Sequence, residues 1–113
     1  MMQLTIIGFG NQARSWALNL RDSGFPIRVA LRRGSPSFTE VNKEKLPSIE
    51  IGSEEFYHSE ALALLIPDDG QKNFLESHAE KFANSPLVLY AHGFALSRFH
   101  LEKRFPSIRH VLF

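Results

Sequence analysis

Gly8, Gly10 and Ala13, in the stretch "IIGFGNQARSWA", bring backbone amides to a junction with almost no side-chain bulk in the way. Further along, "RRGSPS" gathers Arg32, Arg33, Ser35 and Ser37, two guanidinium forks and two hydroxyls, within six residues. Both groups suit the capture of phosphate. A glycine at 8 permits a sharp turn, a glycine at 10 lets the backbone approach a diphosphate, and a small residue at 13 lets a helix pack close to a strand. If a helix opens here, its free N–H groups and the positive end of its macrodipole face the same ligand. A tight strand-to-helix turn also favours glycine for its own sake, so the flanking pattern has to decide between the two readings.

The second group bears on which dinucleotide would bind. A NAD-binding unit usually carries Asp or Glu at the end of its second strand, roughly 20 residues beyond the glycines, to hold the ribose hydroxyls. Here that place holds Arg32 and Arg33, followed by Gly34, Ser35 and Ser37. A carboxylate would repel the extra phosphate of NADP, whereas guanidinium and hydroxyl groups grip it. NADP is therefore expected over NAD. Arg33 taken alone reads equally well as a solvated loop residue.

Those residues need elements to position them. Leu4 to Ile7 is an apolar, β-branched run ending in glycine, as in a strand buried on both faces. From Ala13 the apolar positions Ala13, Trp16, Ala17 and Leu20 recur at threes and fours, with Gly24 where a helix would be capped. "IRVAL" after Pro26 reads as the next strand, so Leu4 to Leu31 forms a βαβ unit with a parallel crossover. "RRGSPSFTEVNKEKLPS" reads as a long loop with one helical turn around Glu40 to Leu46, "IEI" as a short strand, and "SEEFYHSE" as a brief helix capped by Ser53. "ALALLI" is a strand stopped by Pro67, and "DGQKNFLESHAEKFAN" is an amphipathic helix with Phe74, Leu75, His78 and Phe82 on one side. "PLVLYAH" is a strand, "ALSRFHLEKRF" a helix that turns Leu96, Phe99 and Phe105 to a core, and "IRHVLF" a last strand. The expectation is one α/β domain over residues 1–113, Rossmann-type and doubly wound, with a mostly parallel sheet and helices on both faces.

Three stretches, "GFGNQARSWALNLRDSGFPIRVALRRGSPSF", "ALALLIPDDGQKNF" and "LVLYAHGF", resemble the N-terminal domain of ketol-acid reductoisomerase, the acetohydroxy acid isomeroreductase of branched-chain amino acid synthesis. The likeness covers nearly the whole chain and is weakest from Thr39 to Ser59. It implies that Phe9, Gly10, Asn11 and Gln12 line the diphosphate turn, and that Arg32, Ser35 and Ser37 hold the adenosine phosphate. It implies further that the loop Asp68, Asp69, Gly70 and Gln71 lies beside the cofactor and that His92 is the family's active-site histidine. From the residues themselves, Asp68 and His92 each follow a buried strand at its carboxyl end, the edge where open α/β sheets bind ligands. Helix capping by Asp68 and Asp69, and a hydrogen-bonded turn at His92, are the alternatives, and capping is compatible with cofactor contact. Two departures stand out: Ala13 replaces the family's third glycine, and Gly70 a larger residue. The resemblance also places Phe113 where the family continues into a helical, magnesium-binding domain, so neither isomerisation nor reduction is expected of this chain alone.

Composition excludes other classes. A chain of 113 residues, 43% hydrophobic, has the size of one domain, and a formal charge of +1 shows no nucleic-acid footprint. The absence of cysteine excludes disulfides, thiolate metal sites and thiol nucleophiles, and suits a reducing cytoplasm. "MMQLTIIGFG" does not read as a signal peptide, and charges interrupt every apolar run before membrane-spanning length. No histidine spacing matches a metal-ligand pair and no G-x-S-x-G elbow occurs. Two functions remain: an NADP-binding part of an oxidoreductase, completed by a helical domain or chain, and a non-catalytic nucleotide sensor or interaction module. Ten phenylalanines, among them Phe94, Phe99, Phe105 and Phe113, suggest an apolar surface and a homodimer through the C-terminal third.

Overall fold

The computed structural model describes residues 2–66, 68–90 and 101–112. Six strands form one sheet: β1 (Leu4–Ile7), β2 (Ile27–Leu31), β3 (Ser48–Glu50), β4 (Ala61–Leu64), β5 (Leu87–Tyr90) and β6 (Arg109–Leu112). Their order is β3-β2-β1-β4-β5-β6, and every pairing is parallel. Leu4 of β1 lies opposite Ile27 on one side and Ala61 on the other, so the chain starts in the middle of the sheet and builds outward in two directions. The strand order reverses between β1 and β4, and at such a point the connections diverge to leave a crevice above the carboxyl ends.

The helices are α1 (Asn11–Asp22), α2 (Ser37–Lys43), α3 (Glu54–Tyr57), α4 (Asp68–His78) and α5 (Leu101–Arg104), with a 3₁₀ turn at Ala79–Lys81. Two apolar cores confirm the expected layering. On one face Leu4, Ile6 and Val29 pack against Ala13 and Ala17 of α1 and Val41 of α2. On the other, Ile7, Leu62 and Leu64 pack against Phe56 of α3 and Phe74 and Leu75 of α4. Ile6 and Ile7 thus feed opposite cores, which is why β1 reads as a continuous apolar run rather than an alternating one. Ser53 caps α3 as its sequence position suggests, its Oγ accepting the Phe56 N–H at 3.2 Å.

One segment differs from the sequence reading. The single helical turn expected around Glu40 to Leu46 is a two-turn helix that already begins at Ser37. The turn formers in "GSPS" start this helix rather than prolong the loop: Ser35 Oγ accepts the Ser37 N–H at 3.2 Å, and Pro36 occupies the N-cap. Burial of Val41 and Leu46, together with Arg14 of α1 bridging Glu40 at 3.3 Å and Glu44 at 2.9 Å, holds it in place. Toward the C-terminus, Tyr90 O–H meets His110 Nδ1 at 2.7 Å and His110 Nε2 meets the Phe105 carbonyl at 3.0 Å, tying β6 to β5. Phe105 is buried in the core, while Phe94, Leu96, Phe99 and Phe113 lie outside the described residues.

Candidate functional site

β1 delivers the glycine turn to the carboxyl edge of the sheet. Gly8 donates its N–H to the Ala30 carbonyl at 3.0 Å, prolonging the pairing with β2, and then turns with φ +87°. Its missing side chain is required by that φ, which L side chains rarely adopt, and a Cβ there would also stand a tight 3.3 Å from Ile66 Cγ2. Gly10 is different. Its φ of −68° suits any residue, and a Cβ there would meet nothing within 4 Å. The fold therefore has no need of glycine at 10, and the space above it is open to solvent. Gly10 is the N-cap of α1 without a side-chain cap, its carbonyl accepts the first helical bond from Arg14 at 2.8 Å, and no acidic residue sits in the first turn. The amides of Asn11, Gln12 and Ala13 are thus free for an anion, at the positive end of a twelve-residue helix.

A cleft of about 430 Å³ opens beside this turn. One wall comprises Gly8 and Phe9; another, Arg32, Ser35 and Ser37 of the loop after β2; a third, Gly70, Asn73, Ser77 and His78 of α4. Ile51, Ile66 and Phe74 form apolar surface between them. Arg32 is exposed, and among the described residues its guanidinium has neither hydrogen-bond nor ion-pair partner. Ser35 uses one lone pair of its hydroxyl on the Ser37 N–H, which leaves its O–H proton to donate elsewhere. Residues 8, 32, 35 and 37, selected by type and spacing, and Phe9, implied by the resemblance, line one space.

The other predicted residues are placed as follows. Arg33 points away from the cleft, 93% exposed and 4.0 Å from Glu50 of β3, where it lines a separate hollow with Gly34 and Phe38. Asn11 and Gln12 are exposed on the first turn of α1, and the Phe9 ring is largely buried in the α1 core while one side faces the cleft. Gln71 is 3% exposed, and its Nε2 donates to the Ile66 carbonyl at 2.9 Å; its Oε1 is buried with no partner among the described residues. The Gln71 side chain thus braces the loop from beneath. Asp68 is the first residue of α4, and His92 lies outside the described residues.

Sequence reasoning did not assign Asn73, Ser77 and His78 to the site. Their spacing on α4 was visible, but Phe74 and His78 read as a core stripe, and Phe74 does pack in the core. His78 serves both: its ring contacts Phe56 and Phe74, its Nδ1 lies 2.7 Å from Tyr57 Oη, and the same ring lines the cleft. Burial and the nearby Lys81 charge hold its pKa below the ordinary histidine value, and burial raises that of Tyr57. His78 is therefore neutral at pH 7.

An all-parallel sheet in this order, with a glycine turn and an open helix N-terminus at its switch point, defines a Rossmann-type nucleotide-binding domain. Comparison with known proteins is more specific. The family model for the acetohydroxy acid isomeroreductase NADPH-binding domain matches residues 2–106, and the chain belongs to that family. Ketol-acid reductoisomerase (NADP(+)) of Xylella fastidiosa is 36% identical over 93 residues, covering 81% of this chain and 26% of the relative. That of Helicobacter pylori is 36% identical over 96 residues, 84% of this chain and 29% of the relative. The chain thus spans less than a third of the curated relatives it matches. Among solved structures, an NADH-preferring ketol-acid reductoisomerase from an uncultured archean superposes with a TM-score of 0.72 at 20% identity, over 84% of this chain and 30% of that one. A semialdehyde dehydrogenase NAD-binding protein from Cupriavidus necator superposes with a TM-score of 0.79 at 16% identity, over 99% of this chain and 40% of that one. These structural likenesses establish the fold. The family match bears out the resemblance read from the sequence and the expected cofactor, NADP.

Proposed function

We propose that this chain binds NADP(H) in the cleft at the carboxyl edge of its sheet, as the cofactor-holding part of a ketol-acid reductoisomerase-type oxidoreductase. One observation carries the reading: Gly8 and Phe9 of the glycine turn line the same cleft as Arg32, whose guanidinium has no partner among the described residues, the turn suited to a diphosphate and the arginine to a further phosphate. The α1 amides receive the diphosphate, and no acidic side chain in the first turn opposes it. Arg32, with the Ser35 and Ser37 hydroxyls, holds the 2′-phosphate through charge-assisted hydrogen bonds. When bound, the reduced nicotinamide supplies a hydride. The chain orients the ligand and excludes water along the apolar wall of Ile51, Ile66 and Phe74.

The metal-binding and substrate-binding parts would come from a helical domain or a separate chain, and turnover is expected only with it. His92 is proposed to face the reacting end of the cofactor, since it follows β5 on the ligand-binding edge. A reducing cytoplasmic setting fits the cysteine-free sequence. Among the described residues no helix is long and apolar enough to cross a membrane. Self-association or partner docking through the C-terminal third belongs to the same reading, and Val111, 38% exposed, is the apolar side chain there that supports it. Calorimetric titration with NADP⁺ and NAD⁺ tests the binding. A clear preference for NADP⁺ that Arg32→Ala abolishes is the expected result, and equal affinities for the two would overturn the role of Arg32.

A further inference from the structure

We propose that His78, set by Tyr57, is the residue that reads the adenine ring at the far end of this cleft, donating a hydrogen bond from Nε2–H to a ring nitrogen. The inference rests on the dinucleotide reading above and assigns the adenine, a part of the ligand that the glycine turn and Arg32 do not recognise.

The molecule contains an internal control for this idea. In the pair Tyr90–His110 both imidazole nitrogens are engaged by the fold: Nδ1 by Tyr90 Oη at 2.7 Å and Nε2 by the Phe105 carbonyl at 3.0 Å. The pair Tyr57–His78 repeats the first contact at the same 2.7 Å but lacks the second. Among the described residues nothing pairs with His78 Nε2, although the ring is half-buried and lines the cleft. His78 is also the partner that decides the proton's position. The Tyr57 hydroxyl has His78 Nδ1 as its hydrogen-bond partner; with the phenol donating to Nδ1, the imidazole proton sits on Nε2. In that tautomer the free nitrogen is a donor facing the cleft's ligand. Phe56 and Phe74 fix the ring plane, with centroids 5.7 and 4.9 Å from that of His78.

What stands opposite must be flat, apolar on its faces and rich in acceptors at its rim. Ile51, Ile66 and Phe74 supply apolar surface, while Asn73 and Ser77 add exposed polar groups one helical turn apart on the same wall. A purine fits these requirements, since its ring nitrogens accept in plane and its faces are apolar. Arg32, Ser35 and Ser37 border the same cleft, which places a ribose-borne phosphate within one ligand's length of the base.

The test titrates the full chain with NADP⁺ and, separately, with inorganic diphosphate, which carries the anion without the base. His78→Phe keeps the ring and its aromatic contacts but removes the donor; His78→Gln restores an amide N–H near the position of Nε2. NADP⁺ binding is expected to weaken about three- to tenfold in His78→Phe and to recover in His78→Gln, with diphosphate binding unchanged in both. Tyr57→Phe, which frees the imidazole tautomer, is expected to weaken NADP⁺ binding by a smaller factor and again to leave diphosphate alone. Equal NADP⁺ affinity in wild type and His78→Phe, or a parallel loss of both ligands, overturns the assignment. If wild type binds diphosphate but shows no NADP⁺ affinity beyond it, base recognition fails while the glycine turn stands. If neither ligand binds, the dinucleotide reading itself fails.

Discussion

The two ends of β2 carry two arginines four residues apart in opposite states. Arg28 sits within the strand, its side chain 15% exposed, with Nε donating to Thr5 Oγ1 at 2.9 Å and Nη2 to Ser59 Oγ and the Glu55 carbonyl, both at 3.0 Å. It joins β1, β2 and the end of α3 in a network whose members are all satisfied by one another. Arg32 sits just past the strand, exposed and unpartnered among the described residues. The same side chain thus closes the sheet at one end and is left uncommitted at the other. The parallel sheet makes this possible, because connections diverge at the carboxyl edge and leave groups there that the fold does not consume.

Variants at the two ends should therefore separate stability from binding. The largest effect is expected at the open end from Gly10→Asp. A carboxylate placed at the mouth of the α1 amides opposes a diphosphate by several kcal/mol, so NADP⁺ affinity falls by about a hundredfold or more. The same residue is a better N-cap than glycine by a few tenths of a kcal/mol, so thermal unfolding should hold or rise. A drop in Tm alongside the lost binding would mean that position 10 is needed by the fold after all.

Next comes the closed end. Arg28→Met removes charged hydrogen bonds from a largely buried network and should cost about 2 kcal/mol, roughly 10 °C in Tm, while the folded protein binds NADP⁺ as before. Calorimetric scans and titrations on one sample check both halves. Arg32→Ala should do the reverse, costing about one to two decades in NADP⁺ affinity with NAD⁺ affinity and Tm unmoved. Should Arg32→Ala lower the melting temperature as Arg28→Met does, the contrast between the two ends disappears.

The smallest effect concerns pH. Because the His78 pKa is depressed in the folded state, the unfolded chain binds the extra proton first as pH falls, so stability is full above the ordinary histidine pKa of 6.5 and declines from there down to the folded value. Tm measured between pH 8 and pH 5 should show this decline in wild type and less of it in His78→Gln. An identical acid limb in the two proteins would place the titrating group elsewhere.

Much of this was legible in the chain itself, for definable reasons. The strands of the βαβ unit are mostly apolar, broken only by Thr5 and Arg28, and α1 has a clean helical period, so the unit needed no tertiary information. Arg32, Ser35 and Ser37 follow a strand directly, and the strand's end carries them to the edge. What escaped was set by contacts distant in sequence. Arg28 looks like any charge in a strand until Ser59, thirty-one residues away, folds against it. His78 reads as core because its neighbours on the helix are core, and only the β1–β4 adjacency turns the same face toward a cleft. Arg33 shows the converse limit. Composition groups it with Arg32, but Arg33 and Gly34 are the two central residues of a turn closed by the Ser35 N–H on the Arg32 carbonyl at 2.9 Å, and the structure leaves Arg33 exposed, 4.0 Å from Glu50.

The branches of Ile66 stand 3.3 Å from the vacant β position of Gly8 and 3.4 Å from that of Gly70, so one side chain packs against both the turn after β1 and the first turn of α4. A Cβ at position 8 would press Ile66 back by a few tenths of an ångström, whereas one at position 70 would meet it at ordinary contact distance, so the room at each glycine depends on where this one side chain lies. Anyone retooling this domain for a different coenzyme inherits that linkage, and should vary positions 8, 66 and 70 as a set.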